Sequence, residues 1–236
     1  MSVILNIETS GECCSVALTQ DGMVEYHAES EQPMQHAVLL AQYVDKALEH
    51  AERRELHIDA VAVSIGPGSY TGLRIGMSLA KGLCFAKDIP LIGINTLELL
   101  AVKGMFSIRE PEGDEVLIGM IDARRMEVYA AAYDFALNPL LEPKAIVLDS
   151  DSFAEFADRK VVAAGSGVAK AKDVLRLPEA KYLDARLTAM DMTALSERAF
   201  RRGDFMDTAY GVPFYLKDYE AKKSTNKVLE EARKSK

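Results

Sequence analysis

Ala60 to Phe85 reads AVAVSIGPGSYTGLRIGMSLAKGLCF, and this stretch decides the fold. The alternation of Val61, Val63 and Ile65 predicts a buried strand, Gly66-Pro67-Gly68 breaks it, and from Thr71 an almost wholly apolar run predicts a helix. Glycines at 66, 68, 72 and 76 permit a tight turn and the close approach of another surface. Two readings of the turn compete. Its amides between Ile65 and Thr71 could face an anion at the positive end of the helix dipole, or the turn could be a tight strand-to-helix connection and nothing more. A phosphate-binding P-loop is rejected, because Gly72 is followed by Leu73 and Arg74 where Lys and Ser/Thr are needed. Gly72, Gly76 and Ala80 recur every four residues and leave one helix face bare, while Leu73, Met77, Leu79 and Leu83 fill others and only Arg74, Ser78 and Lys81 interrupt. Such a helix is expected to be covered on both sides, by its own sheet and by a second body.

The 236 residues suffice for one large domain or two lobes of about 100 residues each. With 49% hydrophobic residues and a mean hydropathy of -0.03 the chain can bury a full core and reads as a soluble protein. No apolar run approaches a membrane span, and MSVILNIETS lacks the features of a signal peptide, so the expected location is the cytoplasm. Cys13, Cys14 and Cys84 are read as small buried hydrophobes in a reducing compartment; adjacent strand positions 13 and 14 point to opposite faces and make no metal motif. A net charge of -8 argues against the body of the chain gripping nucleic acid unaided. From Lys217 onward there are seven Lys/Arg against four Asp/Glu, a net of +3 that leaves -11 elsewhere, and this tail is read as a solvated extension.

Taken in order, Val3–Ile7 is a strand leading to the hydroxyl-rich turn Glu8-Thr9-Ser10-Gly11. Cys14–Leu18 and Met23–Glu29 form a hairpin about Asp21-Gly22, and a helix over 35–50 carries Ala37, Leu40, Ala41, Val44, Ala47 and Leu48 as its stripe, with Leu39 and Tyr43 beside it. After the glycine element come a strand over 89–94, Thr96 as a helix cap, and a helix to Val102; Lys103-Gly104 and the polar stretch Arg109-Glu110-Pro111-Glu112-Gly113 mark a boundary. The second half repeats the plan. Val116–Ile121, Glu127–Tyr133 and Ala145–Leu148 are strands, Ser152 opens a short helix, Val161–Ala164 is a strand, and Gly165-Ser166-Gly167 leads into another helix, with a last helix over 192–202. The reading is an α/β, two-lobed actin-like ATPase fold of duplicated βββαβα units: residues 1–104 as the first lobe, 105–216 as the second, 217–236 as a charged tail, with the helix from Met192 a candidate to return to the first lobe.

The chain resembles the TsaB family, the non-catalytic members of the bacterial system that makes N6-threonylcarbamoyladenosine on tRNA. The resemblance rests on I-x-T-S at 7–10, S-V-A-L at 15–18, G-P-G-S-Y-T-G-L-R-I-G at 66–76, I-P-L-I-G-I-x-T-L-E at 89–98, I-D-A-R at 121–124 and P-x-Y-L-K at 213–217. The 66–76 block is the specific one. One position departs: the family usually has Asp where Glu8 stands, and the extra methylene would move the carboxylate by about 1.5 Å. The related catalytic family, TsaD, holds a metal through two histidines at positions that align with Thr96 and Leu100. The four histidines here, at 27, 36, 50 and 57, offer no helical pair, and there is no G-x-S-x-G nucleophile elbow.

The resemblance implies a scaffold without activity of its own. It would bind TsaD as a heterodimer, be joined by the ATPase TsaE, meet tRNA through the complex, and form a homodimer when alone. The residues assigned to docking are Leu39, Tyr43, Gly72, Gly76, Leu79, Ala80 and Leu83, with another molecule's helix in the glycine notch; no catalytic residue and no metal ligand is assigned. The alternative is an actin-like small-molecule kinase or ATP-binding protein. It would hold ATP or ADP weakly with magnesium, in a vestigial cleft of Glu8, Thr9, Ser10, Asp122, Arg124, Gly165 and Gly167. The plainer reading of Asp122-Ala123-Arg124 is a capped turn with an internal salt bridge.

Overall fold

The computed structural model describes residues 1–30, 32 and 34–217; the tail from 218 onward lies outside the described residues. The first half contains β1 (Val3–Glu8), β2 (Ser15–Gln20), β3 (Met23–Glu29), α1 (His36–Arg53), β4 (Ala60–Gly66), α2 (Tyr70–Lys87), β5 (Leu91–Asn95) and α3 (Thr96–Phe106). The second contains β6 (Val116–Asp122), β7 (Glu127–Tyr133), β8 (Pro139–Val147), β9 (Val161–Ala164), α4 (Val168–Ala171), β10 (Lys181–Leu183) and α5 (Thr193–Arg202).

Each half builds one five-stranded sheet, and the two orders are the same when read by position: β3-β2-β1-β4-β5 and β8-β7-β6-β9-β10. In each, three strands form an antiparallel meander and two more join in parallel beside the first. Parallel pairing requires a crossover, and α1 and α2 supply it in the first half. This is the duplicated plan of the two-lobed actin-like fold. The central strand β1 is buried along its length, which explains its near-continuous apolar run. One face of the first sheet packs Leu5, Ile7, Val61 and Val63 against Leu40, Val44, Met77 and Ala80 of α1 and α2. Its other face packs Ile4, Ala60, Ala62 and Ile92 against Leu99 and Val102 of α3 and Met192 and Leu195 at the start of α5.

The helix enclosed on both sides proves to be α3. Leu99 and Val102 belong to the first lobe's core, while Leu97 and Ala101 pack on Leu117, Ala131 and Val162 of the second sheet. α3 runs past the expected end at Val102 to Phe106, with Gly104 against Val162 and Ala164 of β9, and the polar stretch 109–113 lies in the connection to β6. Asn95 takes the cap role expected of Thr96, its side chain accepting the Leu97 and Glu98 amides at 2.9 and 3.3 Å. Cys13 sits half-exposed in the loop before β2, a correction to its expected burial in a strand, while Cys14 and Cys84 are buried.

Candidate functional site

At the ends of β1 and β4, Glu8-Thr9-Ser10 meets Gly66–Ser69 and the start of α2. Gly66 has φ of +109°, and a Cβ there would lie 2.7 Å from the Phe214 carbonyl oxygen and 2.9 Å from Leu73, so a side chain is excluded on both counts. Two of the donors here are engaged internally. Ser69 N–H donates to the Ser10 carbonyl at 2.7 Å, and Ser69 Oγ caps α2 by accepting the Gly72 amide at 3.2 Å. These bonds and the close packing at Gly66 describe a tight strand-to-helix connection.

The glycine notch is occupied by the chain itself. A Cβ at Gly72 would overlap the Thr9 carbonyl oxygen and come within 3.3 Å of His36 Nε2; one at Gly76 would overlap Thr9 Oγ1; Ala80 is fully buried in the first lobe's core. This corrects the assignment of Gly72, Gly76 and Ala80 to docking. Their smallness lets the end of β1 press onto α2, and no partner helix can share the space. Leu79 and Leu83 sit half-buried on the flank of α2 opposite Arg74 and Lys81. Leu39 and Tyr43 lie on the flank of α1 turned to β3, where Tyr43 Oη donates to the Glu29 carbonyl at 3.2 Å and the Tyr26 ring meets His50. The outward faces carry instead Ala37, Val38, Ala41, Gln42, Asp45, Lys46 and Glu49 on α1 and Thr71, Arg74, Ser78, Gly82, Phe85 and Lys87 on α2. Phe85 is 86% exposed, and a Cβ at Gly82 would meet nothing within 4 Å. Sequence reasoning missed Gly82 because a second small-residue ridge, Ser78/Gly82, lies beside the more regular one at 72/76/80.

The third side of α2 is covered by the segment after α5. Met206 N–H donates to the Leu91 carbonyl, Phe214 N–H to the Ile65 carbonyl at 2.7 Å, and Lys81 Nζ donates to the Ala209 and Gly211 carbonyls at 2.9 and 3.0 Å. Arg74 Nε donates to Tyr215 Oη at 3.2 Å with its guanidinium over the Tyr70 ring, which also contacts the Tyr215 ring. Pro213-Phe214-Tyr215-Leu216-Lys217 is thus a strap: Leu216 packs on the second sheet's core and Lys217 pairs with Glu127 of β7.

The expected nucleotide residues fall into two groups. In the first, Glu8 Oε1 accepts both the Ser10 amide, at 2.6 Å, and the Ser10 hydroxyl, at 2.5 Å; Oε2 is buried without a partner, and burial raises the carboxyl above its ordinary pKa. In the second, Asp122 N–H donates to Ser166 Oγ at 3.1 Å, and Asp122 Oδ1 accepts the Arg124 amide at 2.5 Å and Lys170 Nζ at 2.7 Å. The cap is as expected, but the salt bridge is to Lys170, not Arg124. Burial works against the Asp122 charge, yet the Lys170 and Arg124 hydrogen bonds hold its pKa below the usual value. Gly165 and Gly167 belong to the expected nucleotide cleft. Both are pressed against Met120 of β6 on the side a Cβ would take, leaving no room for one. A magnesium nucleotide does not fit these residues as arranged: Ser10's donors are taken by Glu8, and the Asp122 carboxylate is held by an ammonium group.

Beside Asp122, the β6–β7 turn is closed by Glu127 N–H donating to the Arg124 carbonyl at 3.0 Å. Arg124 and Arg125 take φ of +71° and +49°, a conformation costing a residue with a Cβ on the order of 1 kcal/mol. Lys170 Nζ stiffens the turn by also donating to the Arg125 and Glu127 carbonyls at 2.7 and 3.1 Å.

Three comparisons bear on this arrangement. Residues 30–223 match the family model described as TsaD, tRNA N6-adenosine threonylcarbamoyltransferase. The chain is 39% identical over 130 residues to the tRNA threonylcarbamoyladenosine biosynthesis protein TsaB of Escherichia coli (strain K12), covering 55% of this chain and 54% of that protein. It is 34% identical over 139 residues to the protein of the same name in Bacillus subtilis (strain 168), covering 59% and 58%. The matches thus span little more than half the length of these curated relatives. Among solved structures, YeaZ from Pseudomonas aeruginosa superposes with a TM-score of 0.75 at 28% identity, over 92% of this chain and all of that one.

Proposed function

Because this chain belongs to the TsaD-type tRNA N6-adenosine threonylcarbamoyltransferase family, within its TsaB branch, we propose that it is the non-catalytic subunit that docks a catalytic TsaD protein for N6-threonylcarbamoyladenosine synthesis on tRNA. The observation that carries this reading is the outward face of α1 and α2. It presents Val38, 59% exposed near the start of α1, and Phe85, 86% exposed near the end of α2, with Ser78 and the open backbone at Gly82 along α2 between those ends. Exposed apolar surface of this kind marks association sites, and small residues let a partner helix approach closely. The partner is a second two-lobed protein of the same architecture, laying its own equivalent helices across this face; with TsaD absent, a second copy of this chain takes the same place. TsaE then joins the assembled pair, and tRNA reaches the chemistry on TsaD.

The internal consumption of Ser10, Ser69 and Asp122 supports the absence of phosphoryl chemistry on this subunit. Gly82→Leu places a bulky side chain in open space, so the fold should keep its Tm while co-elution with TsaD in size-exclusion chromatography is lost; Phe85→Glu should act likewise. Co-elution of both variants at the native level overturns this choice of face. Equal yields of modified adenosine with and without the chain, in a reconstitution with TsaD, TsaE and the adenylate-forming enzyme, overturn the scaffold role.

A further inference from the structure

The docking reading leaves the β6–β7 turn unused. Arg124 and Arg125 are the only adjacent pair of non-glycine residues at positive φ among the described residues, at positions that asparagine or glycine occupy with less strain. Both side chains are exposed, and neither guanidinium has a hydrogen bond or ion pair among the described residues.

Two of the acids around them are paired with lysines, and two others accept neutral donors only. Asp122 is held by Lys170 and Glu127 by Lys217, the latter at 2.7 Å to one oxygen and 2.5 Å to the other. Leu148 N–H donates to the Met126 carbonyl and brings Asp149 near. That carboxylate accepts the Asp151 amide at 3.0 Å and the Ser152 hydroxyl at 2.8 Å, and Asp151 accepts the Ser150 hydroxyl at 3.2 Å. The two arginines are left as the cations of this tip without a counter-charge in contact.

We propose that the Arg124–Arg125 tip is a contact site for RNA backbone phosphates. A guanidinium presents a fixed fork of donors that matches a phosphate bidentately, and two on adjacent residues reach two phosphates of one strand. A hairpin end is convex. It can meet a backbone but encloses no base, which favours a polymer over a free nucleotide. The identity of the polyanion as RNA rests on the tRNA-pathway reading above, while the geometry of the tip does not.

The test is fluorescence anisotropy of labelled tRNA titrated with the full chain, alone and with saturating TsaD, over about 50 to 200 mM salt. The variant is the double substitution Arg124→Asn with Arg125→Gly, which gives the turn residues that accept its φ. Its Tm should equal or exceed that of the native chain, while tRNA affinity falls about tenfold and the slope of log K against log salt falls by about one to two. A variant that binds tRNA with native affinity and slope overturns the proposal, as does a native chain that binds no tRNA in either setting. Equal competition by ATP and unlabelled tRNA at matched phosphate concentration overturns it in favour of a nucleotide site. Co-elution with TsaD separates the two readings: if the native chain co-elutes and the variant still binds RNA normally, only the tip proposal fails. If the native chain does not co-elute yet loses tRNA affinity on substitution, the docking reading fails and the tip stands.

Discussion

Alanine at Gly72 and alanine at Gly82 should change stability in opposite directions, although the same substitution is made in the same helix. In a helix interior, replacing glycine by alanine gains up to about 1 kcal/mol through backbone entropy. At Gly82 nothing lies within 4 Å of the new Cβ, so the gain stands. With about 2–4 °C of Tm per kcal/mol for a chain of this size, Gly82→Ala should melt about 1–4 °C higher. At Gly72 the new Cβ overlaps the Thr9 carbonyl and presses on Ser69 Oγ at 3.2 Å and His36 Nε2 at 3.3 Å. The carbonyl belongs to the backbone at the end of β1 and cannot rotate away. Overpacking of this kind costs about 1–3 kcal/mol or more, which outweighs the helical gain and leaves a net loss of about 1–2 kcal/mol. Gly72→Ala should therefore melt about 2–8 °C lower in circular dichroism scans of the full chain in one buffer. Gly76→Ala meets Thr9 Oγ1, with Thr9 Cβ and Cγ2 at 3.2 Å, so adding Thr9→Ala should restore part of its loss and give a favourable coupling in the double-mutant cycle. A Gly72→Ala protein as stable as the native one would show that the notch is not filled from within, and the original assignment of this face to a partner would return.

Three further outcomes are expected. Glu8 has a folded-state pKa raised by burial, so the folded state holds its proton above the ordinary value of 4.5 and loses relative stability as pH rises past that value toward the raised one; Glu8→Gln should melt higher than the native chain at pH 8 with the advantage shrinking toward pH 4, and a difference independent of pH would refute a buried titrating carboxyl. Burial pushes the Cys84 thiol up to about 11 and raises that of Cys14, so one thiol, Cys13, should react with a disulfide reagent at pH 8 in the native protein and three after denaturation; rapid native labelling of Cys84 contradicts the packing of α2. Lys81→Ala frees the Ala209 and Gly211 carbonyls and should speed hydrogen exchange at the Phe214 amide with little change at core amides such as Val63, whereas an unchanged Phe214 rate would mean the strap is held without Lys81.

The sequence by itself determined the elements and their repetition. Alternation in Val61, Val63 and Ile65, the break at Gly66-Pro67-Gly68 and the second meander from Val116 follow from local periodicity, and periodicity survives without knowing what packs on what. The family was also legible, because the 66–76 block and the shorter motifs are local strings. Tertiary structure alone decided which way the small residues of α2 face. A Gly72/Gly76/Ala80 stripe is equally consistent with a foreign helix and with Thr9 of the chain's own first strand, since both need only a surface without side chains; burial against Thr9 settles it and leaves Gly82 as the open position. The same holds for α3, whose apolar residues on every side reflect a second sheet contributed by residues far along the chain. It holds again for Asp122, where Arg124 is the neighbour in sequence but Lys170, 48 residues away, brings its ammonium within hydrogen-bond reach. Side-chain spacing fixes which residues share a face, and only the folded chain fixes what that face meets.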